Sequence, residues 1–473
     1  MKSKTNKKIL ISCAVIVIVT SVCLSLILIG GTVISLVWPI NFEITDGLLP
    51  AIGGDSQNRI DASDPSQTPV DGRSNGQIPD KIAATMQEIE QQVSQLRGLP
   101  LIEEVPKLLI SPEALQKKVE DEFFADYSDE DARQDVLVFS LLGLIPDDFD
   151  LKTFYHELYG EQIAGFYDSE TKEIYVVGSS AFTGHEKMTY AHEFTHVLQD
   201  QAYGLDDGLG INEEACDEDS ERCAAIQALI EGDAMLSEYL WFSNHASRKD
   251  QLDIFKMFDD SSNAIFENAP PFFQMDLLFP YDQGFAFVEH LYDQNGFTTI
   301  DAAYLTPPLS TEQIMHPERY PADLPQTVEL KNLESLLNGN WKLLNQNVMG
   351  EWSIYLILSQ SYREDYRLTE VQAGQASEGW GGDSYAIYLN EATDEVIFVL
   401  DTVWDTLQDA DEFMDALVQY ADSRWDASPS QIVGQPTWAG QNGTIVIYQN
   451  GERILWLITP SEKLAETVFE ALQ

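Results

Sequence analysis

Between Ile9 and Trp38 the chain carries no charged residue, and an apolar run of that length has to leave water wherever the rest of the chain folds. It exceeds the roughly 20 residues that a membrane-spanning helix needs. Lys2, Lys4, Lys7 and Lys8 stand just before it, and positive flanks stay on the cytoplasmic side. The run is longer than the core of a cleavable signal peptide and lacks a small-x-small exit site. The expected order is a cytoplasmic tail over 1–8, a transmembrane anchor over 9–38, and an extracytoplasmic remainder. On this reading the chain is a single-pass membrane protein that meets the lipid bilayer through one N-terminal helix.

Residues 39–79 read as a flexible stalk, with Gly53-Gly54-Asp55-Ser56 and Thr68-Pro69-Val70-Asp71-Gly72 offering almost nothing to a core. The chain of 473 residues is too long for a single hydrophobic core, and 44% apolar residues supply enough surface for more than one. Against 27 Lys and Arg stand 78 Asp and Glu, a net charge of −51. That balance argues against nucleic acid as a partner and reads as a solvated acidic surface. Cys13 and Cys23 fall within the uncharged run. Cys216 and Cys223 flank a small acidic loop, where a disulfide is permitted but not required.

Order is expected from Asp80, where Ile82, Met86, Ile89, Val93 and Leu96 repeat at helical steps. Helical patterning continues through Ala114–Phe124 and Ala132–Leu144. Gly165-Phe166-Tyr167 and Glu173–Val177 then read as a hairpin around polar turn residues, and helix dominates again from Lys187 to Leu358. The texture changes near the C-terminus, with strands at Ser384–Leu389 and Glu395–Leu400 and a helix at Ala410–Tyr420. A hairpin across Asn450-Gly451 and a closing helix at Ser461–Leu472 follow. A main unit over 80–372 and a small α+β domain over 373–473 are the expected divisions.

His192 and His196 are four residues apart, so on a helix both imidazoles leave one face and reach one ion. Glu193 follows the first of them, placed to take a proton from water without ligating the metal. A catalytic zinc needs a third protein ligand. Gln199 and Ala202 stand where the metzincin extension would require Gly and His, which excludes that class. Downstream, Glu231 lies in the apolar run Ala224–Trp241. A carboxylate there is costly unless it has a metal or a partner. Glu231 is therefore the expected third ligand to a single Zn2+, and Asp233 is expected to orient a ligand histidine from behind.

His192-Glu193-x-x-His196 followed by Glu231-Gly232-x-Ala234 resembles the gluzincin metallopeptidases. Pro280-Tyr281-Asp282-Gln283-Gly284-Phe285-Ala286 is similar to the segment with which one-zinc aminopeptidases of that clan supply a catalytic tyrosine. Departures are a longer gap between His196 and Glu231 and the absence of the Gly-x-Met-Glu-Asn signature. The resemblance implies a mostly helical zincin-like catalytic domain with a small antiparallel sheet, so that the whole fold class reads α+β with an N-terminal transmembrane helix and a small C-terminal α+β domain. It implies a zinc-dependent peptide-bond hydrolase at the outer face of the membrane, acting on a peptide or protein substrate. Glu193 would activate zinc-bound water and Tyr281 would stabilise the oxyanion. His316 is either a second oxyanion donor or a turn histidine. The alternative is a non-catalytic, membrane-tethered binding protein that retains the scaffold.

Overall fold

The computed structural model describes residues 78–122, 124, 127–162, 165–177, 182–260, 264–337, 339–425, 430–432, 434–440 and 443–473. The helical part begins with α1 (Asp80–Arg97), β1 (Lys107–Ile110), α2 (Pro112–Glu122), α3 (Asp129–Leu141) and α4 (Leu151–Gln162). The hairpin β2 (Gly165–Asp168) and β3 (Glu173–Val177) leads into α5 (Gly184–Tyr203). After α6 (Glu213–Glu218) come α7 (Ser220–His245), α8 (Arg248–Asp260), α9 (Ala264–Glu267), α10 (Pro271–Asn295), α11 (Phe297–Leu305), α12 (Thr311–Met315) and α13 (Glu334–Leu337). A second texture starts with β4 (Trp341–Asn347), α14 (Gly350–Ser359) and α15 (Glu370–Ser377). It continues through β5 (Trp380–Asn390), β6 (Glu395–Trp404), α16 (Leu407–Arg424), β7 (Ser430–Ile432), β8 (Gln435–Gly440), β9 (Gly443–Asn450), β10 (Arg453–Thr459) and α17 (Glu462–Leu472).

Local chemistry sets the ends of the helix that matters most. Glu186 in the first turn of α5 accepts the Thr183 backbone N–H, and the chain leaves the helix at Gly204 with φ of 69°, a conformation glycine adopts without strain. Helix α7 packs against α5 on one side and α10 on another. At its crossing with α10 the backbones touch: a Cβ on Gly232 would lie 2.1 Å from Gly284 O, and one on Gly284 would lie 2.2 Å from Ala228 O. Those two glycines are what permits the approach, and it brings the Glu231 turn of α7 into the centre of the helical part.

The three-stranded sheet has the order β1-β3-β2, with β1 parallel to β3 and β2 antiparallel to it. It is therefore mixed, where the sequence predicts an antiparallel hairpin alone. The partner β1 comes from across three helices, a pairing that no local pattern encodes. The second sheet is antiparallel with seven strands in the order β4-β5-β6-β10-β9-β8-β7. One face, with Tyr385, Ile387, Phe398, Leu400 and Trp456, packs into the core shared with α16 and the helical part. The other, with Ala386, Tyr388, Val399 and Leu457, is covered by α13 and α17. The β9–β10 hairpin turns where Asn450-Gly451 predicts it, with Gly451 at φ of 65°. Strand β4 lies before the boundary expected at 372/373 and pairs with β5 across α14 and α15.

The expected fold class is corrected in its first element as well. Among the described residues, which hold seventeen helices, no helix is long and apolar enough to cross a membrane. The longest, α7, buries Glu221, Glu231, Asp233 and Glu238, a load that protein partners satisfy and lipid does not. The anchor over 9–38 and nearly all of the stalk lie outside the described residues. The fold described is thus a helical part with a small mixed sheet joined to a seven-stranded antiparallel sheet. The expected single-pass localisation with an extracytoplasmic domain accordingly finds no support among the described residues.

Candidate metal centre

Helices α5 and α7 face each other with their polar residues inward. His192 Nε2 lies 3.2 Å from Glu231 Oε2, and His196 Nε2 lies 3.5 Å from the same oxygen. One ligand atom from each of the three residues falls within 4.8 Å of the others. The imidazole planes stand 77° apart, with centroids at 4.8 Å, so the two Nε2 atoms converge from different directions. Two imidazole nitrogens and a carboxylate oxygen are a donor set that zinc accepts. Glu231 Oε1 is buried and has no hydrogen-bond partner among the described residues. A carboxylate left half-satisfied in a closed interior is expensive without a cation. The residues therefore fit a divalent metal.

Each imidazole is held from behind. His192 Nδ1 is 2.8 Å from Glu238 Oε2, and His196 Nδ1 is 2.8 Å from Gln199 Oε1. The sequence reading missed both partners, although a spacing signal existed for each. Glu238 lies two helical turns beyond Glu231 on the same face of α7, and Gln199 is three residues beyond His196 on α5. Asp233, expected behind a ligand histidine, sits one step further back. Its carboxylate accepts from Gln199 Nε2 at 3.0 Å and from Tyr304 OH at 2.9 Å, and Arg97 Nε approaches it at 2.7 Å.

Glu193 is fully buried beside the histidines, and its Oε2 accepts the Tyr167 backbone N–H from β2 at 2.8 Å. The small sheet thus fixes the carboxylate. Electrostatics are mutual: burial would raise Glu231, but the imidazoles, His196 foremost, hold its carboxyl below the usual value. Burial presses His196 down, and Glu231 more than reverses this. Burial raises Glu238 against the opposing pull of His192. A bound cation would take the place of the proton these groups share.

The remaining expected residues are spread more widely. Tyr281 is 4% exposed on α10, one turn before Gly284, and belongs to the large apolar core. His316 ends α12 and pairs through Nε2 with Glu351 Oε1 at 2.9 Å. That helix docks on Glu221, whose Oε1 accepts from Thr311, about 15 Å of helix rise from Glu231. His316 thus stands at the C-cap of α12 with its ring engaged by Glu351. A second acidic group, Glu312, Asp323 and Asp405, surrounds the Arg319 guanidinium, which supplies its positive charge. A cavity of about 610 Å³ lies between α3 and α4 against Arg133, Phe149, Lys152 and His156, with no lining residue from the histidine cluster. Cys216 and Cys223, left open by the sequence, form a disulfide between α6 and α7.

A family model described as a domain of unknown function, DUF8575, matches residues 342–468. That span covers most of the seven-stranded sheet with α14, α15, α16 and part of α17, and it contains none of the residues that converge at the metal centre. No curated protein and no solved structure matches the chain.

Proposed function

We propose that the chain is a zinc-dependent peptide-bond hydrolase with its centre at His192, Glu193, His196 and Glu231. The observation that carries the reading is the convergence of two imidazole Nε2 atoms and one carboxylate oxygen beside a separate, backbone-anchored glutamate. In this reading His192, His196 and Glu231 hold one zinc, which supplies Lewis acidity when bound. Glu193 accepts a proton from the attacking water and delivers it to the leaving amine. The Tyr167 N–H keeps the Glu193 carboxylate turned for that exchange, and the closed packing keeps bulk water from competing. Tyr281 is the proposed donor to the developing oxyanion.

A second reading has one observation in its favour. His192 and Glu193 are 0% exposed and His196 is 3% exposed, and structural zinc sites are closed whereas catalytic ones keep an open position. A non-catalytic scaffold would keep the metal and need no path for substrate. The two readings separate on peptide-library cleavage by the full chain against Glu193→Gln. The enzyme reading expects turnover to fall by about 10²–10⁴-fold in the variant at unchanged zinc content. Equal, background-level cleavage by both, with zinc present, selects the scaffold.

A further inference from the structure

The helix that opens the described fold ends in the second layer of the metal centre. Arg97, the last residue of α1, is fully buried, and its guanidinium spans Asp233 on α7 and Asp301 on α11, the latter at 2.7 Å. Tyr203 OH also donates to Asp301, and its ring stacks at 4.1 Å on Tyr304, which donates to Asp233. Arg97 and Tyr304 thereby hold the Asp233 carboxylate in place. It faces the amide of Gln199, which also donates to Ile230 O at 3.0 Å.

The consequence concerns the proton on His196. An amide has donors on nitrogen alone, and both acceptors on that side of Gln199, the Asp233 carboxylate and the Ile230 carbonyl, demand the nitrogen. The Gln199 oxygen must then face His196 Nδ1 and can only accept from it. Nδ1 must carry a hydrogen, so that in the neutral, metal-binding imidazole the lone pair lies on Nε2, the nitrogen directed at Glu231. Were the Gln199 amide free to turn, its NH2 would face Nδ1 and favour the wrong tautomer for ligation.

We propose that Arg97, Asp233 and Gln199 form a positioning relay that fixes the ligating tautomer of His196, so that metal affinity depends on a buried ion pair supplied by α1. The proposal rests on the zinc reading above. None of the three residues touches a reacting atom; Gln199 acts through His196, Asp233 through Gln199 and Arg97 through Asp233.

Chelator competition for Zn2+ on the full chain tests it, with thermal unfolding of each apo variant as a check on folding. Gln199→Met keeps the Arg97–Asp233 pair and removes the amide, and should weaken zinc about 10–100-fold. Asp233→Asn should weaken it in the wild-type background, but change it by less than about two-fold when added to Gln199→Met, because its effect is routed through the amide. A purely structural Asp233 would lower stability in both backgrounds and leave affinity unmoved. Wild-type zinc affinity in Gln199→Met, or losses that multiply in the double variant, overturns the relay while the zinc site stands. If Asp233→Asn does not fold, Gln199→Met alone decides. Absence of zinc binding by the wild-type chain overturns relay and zinc reading together.

Discussion

Helices α5 and α7 bury His192, Glu193, His196, Glu231, Asp233 and Glu238 in one packed interface, whereas the seven-stranded sheet and the helix against it fill their interior with Trp380, Trp404, Trp425, Trp438 and Trp456. Both regions are closed to solvent, but they resolve the cost of burial differently. Aromatic burial is favourable in itself. Burial of carboxylates and imidazoles costs free energy unless each polar atom finds a partner. In the helical part those partners form a ladder from Arg97 through Asp233 and Gln199 to His196, and Glu231 Oε1, without a hydrogen-bond partner among the described residues, is the rung at which a cation fits. On the proposed reading the first region carries the chemistry and the second the stability.

The strongest challenge to that division comes from the sheet. Trp456 on β10 is 1% exposed and packs at 5.2 Å on the Tyr420 ring and at 5.4 Å on Phe398. Trp456→Ala should cost about 3–5 kcal/mol of unfolding free energy, read from denaturant melts, while the folded variant keeps wild-type zinc affinity. A loss of zinc affinity in a variant that is still folded would tie the two regions together and break the comparison.

Within the helical part, the burial of Tyr281 in the apolar core fits either a packing residue or an oxyanion donor. A donor that engages only as charge develops lowers kcat and leaves KM nearly unchanged. Tyr281→Phe should therefore lose about 10²–10³ in kcat, roughly 2.7–4 kcal/mol, with zinc content intact. His316→Ala is the control and should leave turnover unchanged, because His316 is committed to Glu351. A loss confined to His316→Ala would reverse the two roles.

What the sequence disclosed follows from the range of each interaction. The two histidines and Glu193 were legible because a single helix turn dictates their geometry, and Glu231 because a carboxylate in an apolar run needs a reason. Glu238 and Gln199 also lie within helical reach of a named ligand, yet their roles depend on how α5 faces α7, which no single helix encodes. Arg97 was beyond reach: its partner Asp233 is 136 residues away. Strand β1 beside β3 and β4 beside β5 escaped for the same reason, whereas the β9–β10 hairpin announced itself through Asn450-Gly451. Apolar length, read from Ile9–Trp38 as a membrane anchor, describes none of the helices in the described residues, whose longest members are buried by protein.

Whether His192, His196 and Glu231 hold one zinc is read from metal analysis of the purified full chain after removal of loosely bound ions. The wild type and Glu193→Gln should each carry one zinc per chain, and His192→Ala, His196→Ala and Glu231→Ala should each lose most of it. Zinc retained in full by a folded Glu231→Ala variant, or no zinc taken up by a folded wild-type chain, would contradict that assignment.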